Sequence, residues 1–99
     1  MIVVRNVFRL KYGQARAALA LWKEGRPIMM RAIQGPAPRL LTDVVGPSYT
    51  LVMETTHASM AEFEQAGHSV MSSDEWRAWY QRFVPLVESG YREIFTLVE

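Results

Sequence analysis

The chain has 99 residues, 49% hydrophobic and 11% aromatic, with 11 basic against 10 acidic side chains. That length holds one domain, and the composition excludes a disordered chain. A net charge of +1 without a basic run excludes binding driven by nucleic-acid phosphates, and the absence of cysteine excludes disulfides, thiolate metal sites and cysteine nucleophiles.

No apolar run approaches the roughly 20 residues of a membrane span. The opening Met1-Ile-Val-Val is followed at once by Arg5 and Asn6, too short for the apolar region of a signal peptide. A soluble cytoplasmic protein is the expectation. A chain of this size buries only about 60–65% of its unfolded surface, so dimerisation is a ready way to bury more. Three Trp, four Tyr and four Phe exceed what a minimal core needs, which assigns some of them to an interface or a pocket.

Residues 2–10, Ile-Val-Val-Arg-Asn-Val-Phe-Arg-Leu, are a β-branched run and the first predicted strand. Ile2, Val4, Phe8 and Leu10 make its more apolar face, with Asn6 the exception; Val3, Arg5, Val7 and Arg9 make a mixed one. Gly13 ends it. Residues 14–33 place Ala15, Ala18, Leu19, Trp22, Met29 and Ile33 near a 3.6-residue period, which predicts a helix. Gly25 and Pro27 predict a kink or restart at 24–27, and Gly35-Pro36 a clean end.

Residues 39–56 read as two β-rich runs about Gly46-Pro47, a hairpin. Ser59-Met-Ala-Glu62 and Ser72-Ser-Asp-Glu75 both match a capping box. The first opens a short helix stopped near Gly67. The second opens a longer one carrying Trp76, Trp79, Tyr80, Phe83 and Val87, bent by Pro85 and ended by Gly90. Residues 91–98 form the last strand.

The resulting β-α-β-β-α-β order is that of a ferredoxin-like α+β fold. Right-handed crossovers put the helices on one face of a four-stranded antiparallel sheet, with strands one and three in the middle. The other face, read as Arg5, Arg9, Glu54, Arg92 and Thr96 with Val7, Val52, Ile94 and Val98, is too apolar for water and too charged for an ordinary core. Either it is solvated, or two subunits stack these faces as a homodimer around an interior holding a few polar groups.

The order resembles the dimeric α+β barrel superfamily. Within it, Gly46-Pro47-Ser48-Tyr49-Thr50 and the run from Trp79-Tyr80-Gln81-Arg82-Phe83 to Gly90-Tyr91-Arg92-Glu93-Ile94-Phe95 are most similar to small bacterial NIPSNAP-like proteins. The resemblance covers nearly the whole chain as a pattern, and these motifs keep a fold rather than prove a chemistry. The related antibiotic-biosynthesis-type monooxygenases carry an Asn in strand one. The resemblance therefore implies that Asn6, Trp76 or Trp79, and Arg92 hold an oxidisable substrate without metal or flavin.

Each candidate has a plain structural alternative. Asn6 is equally an Asn satisfied by backbone beside aromatic residues. The stripe Trp76, Trp79, Tyr80, Phe83 is core at this spacing, while its polar handles suit a pocket wall for a flat or aliphatic ligand. Glu54 is predicted to pair with Arg5 or Arg92, across strands or across subunits, and Arg5 and Glu54 to line the barrel interior, since an unpaired buried charge is costly. Asp43 with Glu54 is an acid–base pair only if the hairpin register puts both on one face. Haem-degrading relatives use a His on the helix after strand three; His57 and His68 lie off the 76–87 helix, so no haem is expected, and no His or carboxylate pair has metal-ligand spacing.

Two classes of function follow. One is a barrel binding a small apolar or aromatic molecule, with cofactor-free oxygenation as its chemistry. The other is a non-catalytic dimerisation or interaction module. The first needs a cavity in which Asn6, a Trp and an Arg converge; the second has them packed against one another with no void.

Overall fold

The computed structural model describes residues 1–33, 35 and 37–99. Strand β1 (Ile2–Leu10) lies at the centre of the sheet. Helix α1 (Ala15–Ala32) follows, then β2 (Arg39–Thr42), β3 (Thr50–His57), α2 (Met60–Met71), α3 (Asp74–Phe83), a 3-10 turn (Val84–Leu86) and β4 (Val87–Thr96). The four strands form one antiparallel sheet in the order β2-β3-β1-β4, so the hairpin's first strand and the last strand are the edges as expected. This is the ferredoxin-like α+β arrangement, with a second helix added before β4.

Strand pairing fixes the faces. Val4, Phe8 and Leu10 of β1 share a face with Leu51 and Met53 of β3, and this face meets the helices. Beneath them lies an aromatic cluster. Trp22 meets Trp79 edge-on at 4.6 Å between ring centroids, Trp79 stacks on Phe83 at 5.4 Å, and Phe83 meets Phe8 edge-on at 5.1 Å. Such pairs add roughly 0.5–1.5 kcal/mol each beyond their area burial.

Several boundaries differ from the sequence expectation, each for a physical reason. Helix α1 runs unbroken through Gly25 and Pro27. Gly25 serves contact rather than bending, because the Trp79 indole lies against its backbone. Leu21, not Leu19, completes the buried stripe of α1. Ile33, in extended backbone, caps the helix by donating its N–H to the Met29 carbonyl; Pro36, the expected stop, lies outside the described residues.

Helix α2 continues past Gly67 to Met71. A helical Gly costs only about 1 kcal/mol relative to Ala, too little to stop a helix supported on both sides. Ser59 caps it as expected, its Oγ accepting from the Glu62 amide. The next cap is Ser73, whose Oγ accepts from the Trp76 amide at 3.1 Å. Ser72 instead closes α2, its hydroxyl donating to the His68 carbonyl.

The long helix expected through Val87 ends at Phe83, and the chain enters β4 through the 3-10 turn with Pro85 in it. Gly90 lies within β4, opposite Phe8, where a Cβ would stand 3.3 Å from the Phe8 ring and 3.2 Å from the Val7 carbonyl. It makes room for the ring. Between the pairs Arg9–Ser89 and Leu10–Val87, Glu88 is an extra residue, a β-bulge.

Asn6 stands opposite Arg92, which puts Arg92, Ile94 and Thr96 on the helix side. The sequence reading had them on the open face. Tyr91, Ile94 and Phe95 put apolar residues at both parities of β4, so alternation alone does not choose a face. The open face instead carries Val3, Arg5, Val7 and Arg9 with Leu41, Val52, Glu54, Tyr91, Glu93 and Phe95. Among the described residues no helix is long and apolar enough to cross a membrane.

Candidate functional site

A cavity of about 780 Å³ opens between the helix side of the sheet and helices α1, α2 and α3. The sheet supplies its floor through Asn6, Phe8, Met53, Thr55, His57 and Arg92. Helix α3 supplies Trp76 and Tyr80, α1 supplies Trp22 and Met29, and α2 supplies Phe63, His68 and Val70. The wall is mainly aromatic and aliphatic with a few polar groups, the usual make-up of a small-molecule site.

The polar centre of the floor is a pair from adjacent strands. Arg92 Nε donates to Asn6 Oδ1 at 2.8 Å. Using the carboxamide oxygen in this way turns its NH₂ group outward as a donor. The Arg92 guanidinium lies over the Phe63 ring at 5.4 Å, a cation–π contact that fixes its plane. It has no carboxylate partner within 4.0 Å among the described residues. Asn6 and Arg92 thus place N–H donors side by side on the cavity floor.

Facing them, Trp76 and Tyr80 have ring centroids 6.1 Å apart. One turn of helix separates these residues, so both sit on the same stripe of α3. The strand β3 contributes His57, whose Nε2 lies 3.0 Å from Thr55 Oγ1 and whose ring packs edge-on against Phe63. Glu64 and His68 of α2 and Arg77 of α3 are further ionisable residues of the lining.

Of the residues singled out in the sequence, Asn6, Trp76, Arg92 and Tyr80 therefore come together. Trp79 and Phe83 do not reach the cavity. Trp79 is 2% exposed and its Nε1 donates to the Leu21 carbonyl at 2.8 Å, while Phe83 is fully buried behind it. Arg5 and Glu54 lie on the open face. There Glu54, its side chain 19% exposed, meets Arg5 Nε at 3.5 Å and Arg39 Nη2 at 3.2 Å. The expected ion pair exists, with Arg39 rather than Arg92 as second partner.

Asp43 belongs to neither face. Its Oδ1 accepts from the Thr50 amide at 2.9 Å and closes the hairpin loop, in which Gly46 and Tyr49 have positive φ. No group of three or more His, Asp or Glu side chains is placed to hold a metal ion among the described residues.

Sequence reasoning missed Phe63, His68 and Trp22 as lining. Ending α2 at Gly67 cut away His68. Trp22 carries a core signal, its spacing along α1, and nothing local separates a core Trp from one at the edge of a void.

Fold and cavity define a ferredoxin-like domain with an aromatic-lined site between sheet and helices. The NIPSNAP family model matches residues 4–99, and the chain belongs to that family. No curated protein matches it. Among solved structures, a NIPSNAP family protein from Agrobacterium tumefaciens is similar, with a TM-score of 0.89 at 20% identity over 99% of this chain and 86% of that one. An uncharacterised NIPSNAP domain protein from Burkholderia xenovorans gives 0.87 at 18% identity over 99% and 95%. SnoaB, a cofactor-independent oxygenase from Streptomyces nogalater solved as a variant, gives 0.73 at 12% identity over 99% and 93%. These identities carry the fold alone.

Proposed function

We propose that the protein binds a flat apolar or aromatic molecule in the sheet–helix cavity and oxidises it with molecular oxygen without a cofactor. The observation that carries the proposal is the Asn6–Arg92 pair, a fixed set of N–H donors facing Trp76 and Tyr80. Donors held in place beforehand stabilise charge that develops on a substrate oxygen, and they do so more strongly once the bound substrate has displaced water from around them. Similarity to an oxygenase described as cofactor-independent agrees with this chemistry.

The reaction fits an enolisable arene ketone. Its C–H proton passes to a basic lining group, His57, His68 or Glu64, and Asn6 and Arg92 hold the enolate oxygen. The enolate carbon is then oxidised by O₂: a C–O bond forms, giving a hydroperoxide. Loss of water leaves the quinone, so one oxygen atom enters the product and the other leaves as water.

We further propose a homodimer formed by stacking the open sheet faces of two copies. Tyr91 and Phe95 are 62% and 46% exposed there, beside Val7, Leu41 and the Arg5–Glu54–Arg39 cluster. A chain without cysteine suits a reducing cytoplasm, where we expect the protein to act.

The test uses anthrone as the probe. Wild-type protein should consume one O₂ per anthrone and yield anthraquinone, above the rate in buffer, and Arg92→Leu should abolish the excess. Binding of anthrone without oxygen uptake would overturn the oxidation and leave a binding protein. No binding at all would overturn the cavity as a ligand site and favour the interaction module.

A further inference from the structure

Arg92 is a cation of the cavity without an anion. Arg5, Arg31, Arg39, Arg77 and Arg82 each have a carboxylate within 4.0 Å, and Arg92 has none among the described residues. Arg77, the other arginine of the lining, is paired with Asp74. Glu64, the one carboxylate among the described lining residues, is exposed and makes no ion pair with Arg92. The Arg92 guanidinium is held between two residues that both line the cavity. Its Nε donates to Asn6 Oδ1 at 2.8 Å, and its carbon lies 5.4 Å from the centroid of the Phe63 ring. Arg92 is exposed, so a solute entering the cavity can reach it.

The bond to Asn6 uses Nε and leaves the two Nη groups without an acceptor among the described residues. We infer that the ligand is an organic acid, a flat apolar frame whose single carboxylate binds end-on to the Nη groups of Arg92. The inference rests on the cavity being a ligand site and names the class of ligand. Parallel N–H bonds of a guanidinium match the two oxygens of a carboxylate, and such charge-assisted pairs are roughly twice as strong as neutral ones. A hydrocarbon laid over Arg92 strips water from the guanidinium and gives nothing back. A carboxylate returns both the charge and the hydrogen bonds. One unpaired guanidinium suits a monoanion better than a phosphate ester, which carries nearly two charges. The Asn6 NH₂ group beside it stays available to a ketone or phenol oxygen on the same frame.

The experiment compares 2-naphthoate with 2-naphthamide by calorimetry. The two share frame, size and carbonyl and differ in charge. Wild type should bind the acid about 10-fold or more tightly than the amide, the value of one charge-assisted pair. Arg92→Gln should abolish that preference, weakening the acid about 10-fold and moving the amide by less than about 3-fold. Arg77→Gln, which removes a cation already paired with Asp74, should leave the preference in place. His57 and His68 also line the cavity, so the preference is read at about pH 6 and about pH 8 and should persist at both.

Should Arg92→Gln fail to fold, Arg92→Lys decides. It keeps a charge and loses the fork, so the preference should shrink at least about 3-fold, and an undiminished preference would overturn the inference. Equal affinity for acid and amide in wild type, or a preference that survives Arg92→Gln, would overturn it while leaving the cavity reading intact. So would a preference seen only at the lower pH, which would belong to His57 or His68. Failure of both probes to bind wild type would overturn both readings.

Discussion

The Trp79 indole fills the space where a side chain at position 25 would begin. A Cβ built on Gly25 would lie 2.4 Å from Trp79 Cε2 and Cζ2. Helices α1 and α3 approach this closely because residue 25 has no side chain, and the approach lets the Trp79 N–H reach the Leu21 carbonyl one turn earlier. The stripe of α3 is thereby held in register, with Trp79 locked into the core and Trp76 and Tyr80 left to line the cavity.

Gly25→Ala should accordingly destabilise the fold although Ala is the better helix former. Propensity returns at most about 1 kcal/mol. Overpacking a filled core costs about 1–3 kcal/mol or more, because Trp79 must move. A net loss of about 1–2 kcal/mol in urea denaturation is expected. The Gly25→Ala, Trp79→Phe double variant should lose less than the sum of the singles, since the smaller ring vacates the contested space. Additive losses would mean the two residues are not coupled.

The register of the second capping motif makes a separate prediction. Ser73→Ala removes the acceptor of the Trp76 amide and should cost about 1 kcal/mol, or roughly 4–8 °C in Tm for a domain of this size. Ser72→Ala removes a single exposed bond to a helix-end carbonyl and should cost less than about 0.5 kcal/mol. The reverse ranking would put the cap one residue earlier.

What the sequence made legible follows from where its signals are redundant. The strand 2–10, the edge and centre strands and the Ser59 cap each rest on more than one agreeing cue: β-branched runs, breakers and capping residues. The end of α3 and the face of β4 do not. Residues 84–90 combine a helix-compatible stripe with a Pro and a Gly, and only the fit of Gly90 under Phe8 selects strand over helix. At the site, Asn6 stood out as the one polar residue on an apolar strand face. Its hydrogen bond to Arg92 depends on a long-range register, which no local pattern in residues 91–96 encodes. Trp22 depends on a void, which is a property of three helices together.

Asn6 separates function from stability. Its side chain is partly buried and makes one hydrogen bond, to an exposed Arg92. Asn6→Ala should lower Tm by about 2–4 °C, since a part-exposed bond lies at the low end of the range, about 0.5 kcal/mol. It should reduce anthrone affinity about 10-fold or more, because both the carboxamide donor and the orientation of Arg92 are lost. A large drop in Tm with affinity retained would make Asn6 a structural residue of the sheet.

The open sheet face gives the last prediction, and the two parities of β4 make it specific. Tyr91 and Phe95 point to that face, while Ile94, between them in sequence, points to the helix side. If two copies stack through the open faces, Tyr91→Asp and Phe95→Asp each put a carboxylate into the apolar part of the contact, and burying an unpaired charge is too costly for the pair to persist. Native mass spectrometry should read a dimer for wild type and a monomer for both variants. Ile94→Asp, one residue away on the opposite face, should remain dimeric. Val52 is a poorer probe, because it is already buried within one subunit and a charge there threatens the fold itself. Dimers in all three variants would rule out the open face as the interface. A monomeric wild type would mean that Tyr91 and Phe95 simply face solvent.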